Sequence, residues 1–295
     1  MYKSTIRWGR RGAVLRAIST IDMALWDIKG KIFGIPLYLL LGGEKKKIAV
    51  YASSGYYCGL EGKEDEQFIK NDCLSIKEKG FKYYKLRVGG GTFENDLRRV
   101  KIARETLGNE IGIYIDANNA WDVLTTIKFC KEIEELKIDF FEEPILHDNI
   151  LDLKKIVENV KIPIAVGELE STRWGFQNII DYKAADILQP DVTVVGGVTE
   201  LVKVVNIAIA QGFTVMPHAF PEWHLHLACA LPEVNIIEYF DIGSDIINIE
   251  KIFKTFPEAK NGYLECPDKP GLGFEIDEEK VRGYKILQFI SLICN

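Results

Sequence analysis

Three segments decide the fold of this chain: Ile113-Tyr114-Ile115-Asp116, Asp139-Phe140-Phe141-Glu142 and Ile164-Ala165-Val166-Gly167-Glu168. Each is a short apolar run that ends on a carboxylate, and the carboxylates stand 26 residues apart. Runs this short, with turn residues around them and amphipathic stretches between them, read as buried parallel strands linked by helices. If they are successive strands of a β/α barrel, Asp116, Glu142 and Glu168 converge at its carboxyl-terminal mouth. Three hard oxygen donors on one rim suit a magnesium-type ion with positions left open for substrate and water. The plainer reading is that each acid caps the helix after its strand, where Asp and Glu are favoured anyway. Three acids in step favour the metal site.

The same alternation extends outward in both directions. Strands are expected near 48–53, 82–88, 111–116, 139–142, 163–167, 186–189, 213–217 and 235–239. Helices are expected between them, near 64–79, 94–107, 122–136, 149–159, 173–182, 197–211 and 222–230. Eight strands at a repeat of roughly 25 residues fit a TIM-type (β/α)7β barrel better than an open doubly wound sheet, and no G-x-G-x-x-G follows the first strand. Val88-Gly89-Gly90-Gly91 reads as a tight turn and not as a phosphate cradle, since no Lys-Ser/Thr follows it. Before the barrel, residues 11–30 carry helical periodicity (Val14, Leu15, Ile18, Ile21, Ala24, Leu25, Ile28), and a second short helix follows Pro36. After residue 240 the chain turns polar and turn-rich, through Cys266-Pro267-Asp268-Lys269-Pro270-Gly271-Leu272-Gly273.

Composition narrows the class. The chain has 295 residues, 47% of them hydrophobic, enough for one large α/β core. Its net charge of −6 carries no basic block, which argues against nucleic acid or an anionic membrane as partner. Cys58, Cys73, Cys130, Cys229, Cys266 and Cys294 form no C-x-x-C pair and read as buried free thiols of a reducing compartment. With no apolar run of spanning length and no signal-peptide h-region, a soluble cytoplasmic protein is expected.

The strand-end motifs resemble one family. Lys85-Leu86-Arg87, Asp116-Ala117-Asn118, Glu142-Glu143-Pro144, Gly167-Glu168, Gln189-Pro190-Asp191 with Gly196-Gly197, and Pro217-His218 fall in order on six successive strands. Together they are similar to the enolase superfamily, in its mandelate racemase branch, which includes many acid-sugar dehydratases. The resemblance implies a magnesium ion, with manganese as the alternative, held by Asp116, Glu142 and Glu168, with Glu143 supporting the site from behind. It implies that Lys85 contacts a substrate carboxylate, that Asp191 orients His218 as general base, and that Asn118 and Glu238 touch substrate or intermediate. His224 and His226, two apart on a helix, read as core or surface residues, and His147 as a loop residue.

Arg87 stands where the family pattern has a second lysine. Arginine stays protonated, so it serves as an electrostatic clamp and not as a base. A single secure base, His218, favours β-elimination of water from a sugar acid over two-base racemisation or epimerisation. The resemblance further implies a capping domain, of which residues 1–46 are read as a remnant. The barrel is then 47–240, and 241–295 is a carboxyl-terminal segment packing toward the cap. On that reading the missing part of the cap comes from a complementing chain, homo-oligomers form, or the barrel is a truncated, non-catalytic remnant.

Overall fold

The computed structural model describes residues 1–57, 59, 62–244 and 246–283, so Cys58, Cys294 and the rest of 284–295 lie outside the described residues. Eight parallel strands form the centre: β1 (Lys47–Ser54), β2 (Tyr83–Arg87), β3 (Gly112–Asp116), β4 (Ile138–Glu142), β5 (Ile164–Val166), β6 (Ile187–Leu188), β7 (Thr214–Val215) and β8 (Ile236–Tyr239). The helices are α1 (Tyr2–Thr5), α2 (Ala13–Phe33), α3 (Leu37–Leu40), α4 (Gly62–Glu78), α5 (Phe93–Leu107) and α6 (Val123–Glu132). They continue with α7 (Ile150–Val157), α8 (Thr172–Tyr182), α9 (Val192–Val195), α10 (Val198–Ala210), α11 (Pro221–Ala230) and α12 (Glu278–Gly283). Every expected strand is present. The expected helix at 122–136 is α6 plus a separate 3-10 turn, Glu134–Leu136.

The sheet order is β7-β6-β5-β4-β3-β2-β1-β8, so the last strand folds back beside the first. Seven strands follow one another in sequence order before the eighth joins the first, an order consistent with a TIM-type barrel. Seven strands, and Met216 just past β7, send side chains to one interior cluster: Tyr51, Tyr114, Phe140, Ala165, Ile187, Met216 and Ile236, with Tyr83 packed against them. Tyr114 stacks on Phe140 with centroids 4.0 Å apart, and Tyr51 meets Tyr114 edge-on at 5.1 Å. This aromatic layer is the floor on which the polar mouth stands. A much larger apolar cluster lies between the outward strand faces and the helices. Local chemistry sets the helix starts: Thr92 accepts from Asn95 N (3.2 Å) at α5, and Asp122 accepts from Thr125 N (2.8 Å) at α6.

The carboxyl-terminal segment returns to the barrel. A ninth strand, β9 (Tyr263–Glu265), runs antiparallel on β1. Leu37 N then donates to Gly271 O (2.8 Å), Gly271 N to Ile35 O (3.0 Å), and Leu272 N to Asp27 Oδ1 (2.8 Å). The approach is so close that a Cβ on Gly30 would lie 2.5 Å from Gly271 Cα, which explains glycine at both places. The other side of α2 exposes Ile21, Leu25, Ile28, Ile32 and Phe33. Among the described residues, no helix is long and apolar enough to cross a membrane.

Candidate active site

The carboxyl ends of the strands gather the expected residues at one place. Lys85 on β2 is wholly buried, and its Nζ lies 2.8 Å from Glu142 Oε1, 2.6 Å from Glu238 Oε1 and 3.3 Å from Asp116 Oδ2. The Tyr51 ring lies 5.6 Å beneath it. Burial alone would lower the lysine pKa, but Glu142 and Glu238 outweigh it and raise the pKa above its ordinary value. An ammonium ion in this setting has no lone pair to accept a proton.

Arg87, one turn of the pleat outward, pairs with Asp116 and donates from Nη2 to Tyr56 Oη at 2.6 Å, its guanidinium 4.6 Å above the Tyr56 ring. Tyr56 lies on the loop after β1. That loop is anchored by the buried Arg99, which pairs with Asp65, donates to Gly55 O and lies 4.0 Å over Tyr57. Tyr56, Arg87 and the exposed Asn118 line a cavity of about 520 Å³ beside the mouth.

On the far flank, Asp191 Oδ1 accepts from Thr193 N (2.7 Å), and Asp191 Oδ2 lies 2.9 Å from His218 Nδ1. This fixes the imidazole with Nδ1 toward the aspartate and Nε2 toward the mouth, 3.2 Å from Glu168 Oε2. Burial would depress the His218 pKa; the Asp191 hydrogen bond and the charges of Glu238 and Glu168 raise it instead, to about 9. Burial pushes the Glu168 carboxyl above the usual range, with Glu142 and Glu143 adding to the shift and His218 opposing it. Glu238 goes the other way: burial opposes ionisation, but Lys85, His218 and Arg87 hold its carboxyl below the usual range.

Glu143 accepts from Gly167 N (2.8 Å) and so holds the β5 end that presents Glu168. His147, on the loop after β4 but buried, lies 3.4 Å from Glu143 Oε2. The backbone is left-handed at Asn118 (φ 44), Asn119 (φ 64), Glu143 (φ 40), Ala219 (φ 53) and Phe220 (φ 41), all just past strand ends. Strain of this kind, roughly 1–3 kcal/mol per residue, persists where surrounding contacts over-determine the conformation, as at functional sites.

The donor set fits a divalent cation. Ligand atoms of Glu142, Glu168 and His218 lie within 4.8 Å of one another. Glu168 Oε2 is buried and accepts no hydrogen bond. Asp116, the third expected ligand, is drawn toward Arg87 and Lys85 instead. Glu142 is further aimed by Gln189 Nε2, which donates to its Oε2 at 2.9 Å. Gln189 falls in the strand-six motif, whereas Tyr56 and the buried Glu222 belong to none of the strand-end motifs. A polar residue closing an apolar strand was the available signal for Gln189. Nothing in the sequence marked Tyr56, whose place depends on the distant Arg99.

Comparison with known proteins adds the following. Residues 69–280 match the family model described as "Enolase C-terminal domain-like", and residues 1–42 match "Mandelate racemase / muconate lactonizing enzyme, N-terminal domain". The chain is 39% identical over 291 residues to an arabinonate dehydratase of Saccharolobus solfataricus, covering 97% of this chain and 76% of that protein. Among solved structures, a 3,6-anhydro-D-galactonate cycloisomerase from Zobellia galactanivorans superposes with a TM-score of 0.87 at 32% identity, covering 96% of this chain and 79% of that one. An L-talarate dehydratase from a Polaromonas species, in complex with Mg and L-glucarate, gives 0.85 at 29% identity, covering 95% and 76%.

Proposed function

The chain belongs to the enolase superfamily, and from that premise we propose that it dehydrates a sugar acid to a 2-keto-3-deoxy acid, using one base and a magnesium ion. The observation that carries this reading is the contrast between the two candidate bases. Lys85 donates both its hydrogen bonds to Glu142 and is ion-paired with Asp116 and Glu238, whereas His218 presents Nε2 to the mouth with Asp191 behind it.

In the proposed reaction, Nε2 of neutral His218, the form that grows as pH rises toward its raised pKa, takes the proton from the carbon next to the substrate carboxylate. Asp191 stabilises the imidazolium that results. The same imidazolium protonates the β-hydroxyl, which departs as water, and the enol left behind tautomerises to the ketone. A single general base of this kind contributes about 10²–10⁴-fold in rate. Arg87, braced by Tyr56, and Lys85 supply fixed positive charge for the anionic substrate. A divalent cation supplies further charge for the oxyanion that develops as the α-proton leaves. Glu142 and Glu168 are proposed as two of its ligands, and Asp116 as the third. Magnesium prefers oxygen, and His218 is committed through Asp191 to proton transfer. The family's (β/α)7β description, and the assignment of 1–46, 47–240 and 241–295 to cap remnant, barrel and returning segment, belong to the same proposal.

The cycloisomerase likeness supports a second reading, in which proton removal precedes ring opening of a cyclic sugar acid or lactone. Both readings meet the same test. The protein with magnesium is incubated with a library of aldonic acids, aldaric acids and their lactones, and 2-keto acid formation is followed. The dehydratase reading expects a 2-keto-3-deoxy product from an open-chain acid, abolished in His218→Asn and Glu168→Gln. Turnover of lactones alone would replace it by the second reading.

A further inference from the structure

We propose that His224 is a positioning residue that clamps together the two loops carrying Asp191 and His218. The inference rests on the one-base reading above. Asp191 and His218 approach to 2.9 Å although they follow different strands, so their contact depends on how the loop after β6 sits against the loop after β7. One imidazole touches both. His224 is wholly buried; its Nε2 accepts from Val192 N at 3.3 Å, and its Nδ1 donates to Ala219 O at 2.6 Å. Val192 is the residue after Asp191, and Ala219 is the residue after His218.

The Ala219 peptide is thus held from both ends, since its N–H donates to Glu238 Oε2 at 2.8 Å. That grip explains how Ala219 and Phe220 keep left-handed backbone without being glycine. A backbone N–H on Nε2 and a carbonyl on Nδ1 admit only one neutral form of the ring, protonated at Nδ1. Burial also keeps the ring neutral, with its pKa lowered to about 4.

His226 provides an internal contrast. It is equally buried, two residues further on the same helix, and points the other way. Its Nδ1 accepts from Tyr38 N (3.3 Å) and its Nε2 donates to Leu272 O (2.8 Å), so its neutral form is protonated at Nε2. It ties α3 and the returning carboxyl-terminal segment to α11, and touches neither catalytic loop.

The test has an arm that needs no substrate. In the magnesium-loaded protein at neutral pH, 15N NMR of the rings should show His224 protonated at Nδ1 and His226 at Nε2. In the second arm, on a turned-over sugar acid, His224→Leu should lower kcat ~10²-fold with KM changed less than about threefold, as for lost outer partners of a catalytic group. His224→Asn and His224→Gln each retain one arm of the clamp and should fall between, near ~10-fold. His226→Leu should lower Tm as much as His224→Leu does, yet keep kcat within about twofold, because its partners lie away from the dyad. His224 protonated at Nε2, or kcat in His224→Leu within twofold of the parent, overturns the clamp. If the parent protein turns over no sugar acid, the dehydratase reading fails, while the ring tautomers still decide the clamp.

Discussion

The flank of the mouth built on β2–β4 and the flank built on β6–β7 hold their charges in opposite ways. On the first, Lys85, Asp116 and Glu142 are completely buried and locked on one another, Lys85 within and the two acids at the ends of five-residue strands. On the second, β6 and β7 have only two ladder residues each, the backbone after β7 turns left-handed, and the His218 side chain remains 21% exposed. A lysine surrounded by carboxylates is a fixed charge; a histidine with one nitrogen anchored and the other facing the mouth is a proton carrier. The difference shows why residues of similar basic character on one rim carry different parts of the proposed chemistry.

Substitutions should break this contrast unequally. The largest effect is expected at the carrier: His218→Asn should lower turnover by about 10³-fold or more, while magnesium affinity, measured by calorimetry, stays close to that of the parent. Loss of magnesium binding in that variant would instead make His218 a ligand in place of Asp116, and Asp116→Asn titrated alongside distinguishes the two.

Next is the fixed charge. Lys85→Met leaves Glu142 and Glu238 buried without their ammonium partner, which should cost about 3–5 kcal/mol in denaturant unfolding.

A smaller, pH-dependent effect is expected at Glu222, 1% exposed in the first turn of α11, whose carboxyl burial pushes up to about 8. Between pH 4.5 and 8 the folded chain keeps a proton that the unfolded chain releases, so this group's contribution to stability falls as pH rises through that window. In Glu222→Gln that slope should vanish, and the variant should gain on the parent by about 2–4 kcal/mol from pH 5 to pH 8. Parallel stability curves for variant and parent would contradict the assignment.

The smallest effect should come from Tyr56→Phe. It removes the hydroxyl that accepts from Arg87, and a severalfold rise in KM with little change in kcat is expected from steady-state kinetics.

Much of this was legible in the sequence because strand ends are marked by chemistry. Asp116, Glu142 and Glu168 announced β3–β5, and the alternation placed the neighbouring strands within a few residues. The short strands are narrower than the expected 186–189 and 213–217, because the sequence pattern continues past the ladder into the turns that aim Gln189 and His218. Helix α9 carries no helical signal of its own, since Val192-Thr193-Val194-Val195 is β-branched throughout, and Asp191 caps it by accepting from Thr193 N. The role of His224 was hidden for a different reason. A histidine in an apolar helix reads as core, and its two backbone partners lie on loops that only the tertiary fold brings together.

The central claim, one carrier base facing a fixed cation, is tested most directly by isotope exchange. Both α-epimers of a turned-over sugar acid would be incubated with the magnesium-loaded protein in heavy water, and deuterium at the α-carbon followed by NMR. Exchange from one epimer only, lost in His218→Asn, is the predicted result. Exchange from both epimers at comparable rates would mean that a second base, on the side of Lys85, takes protons as well, and would contradict the account.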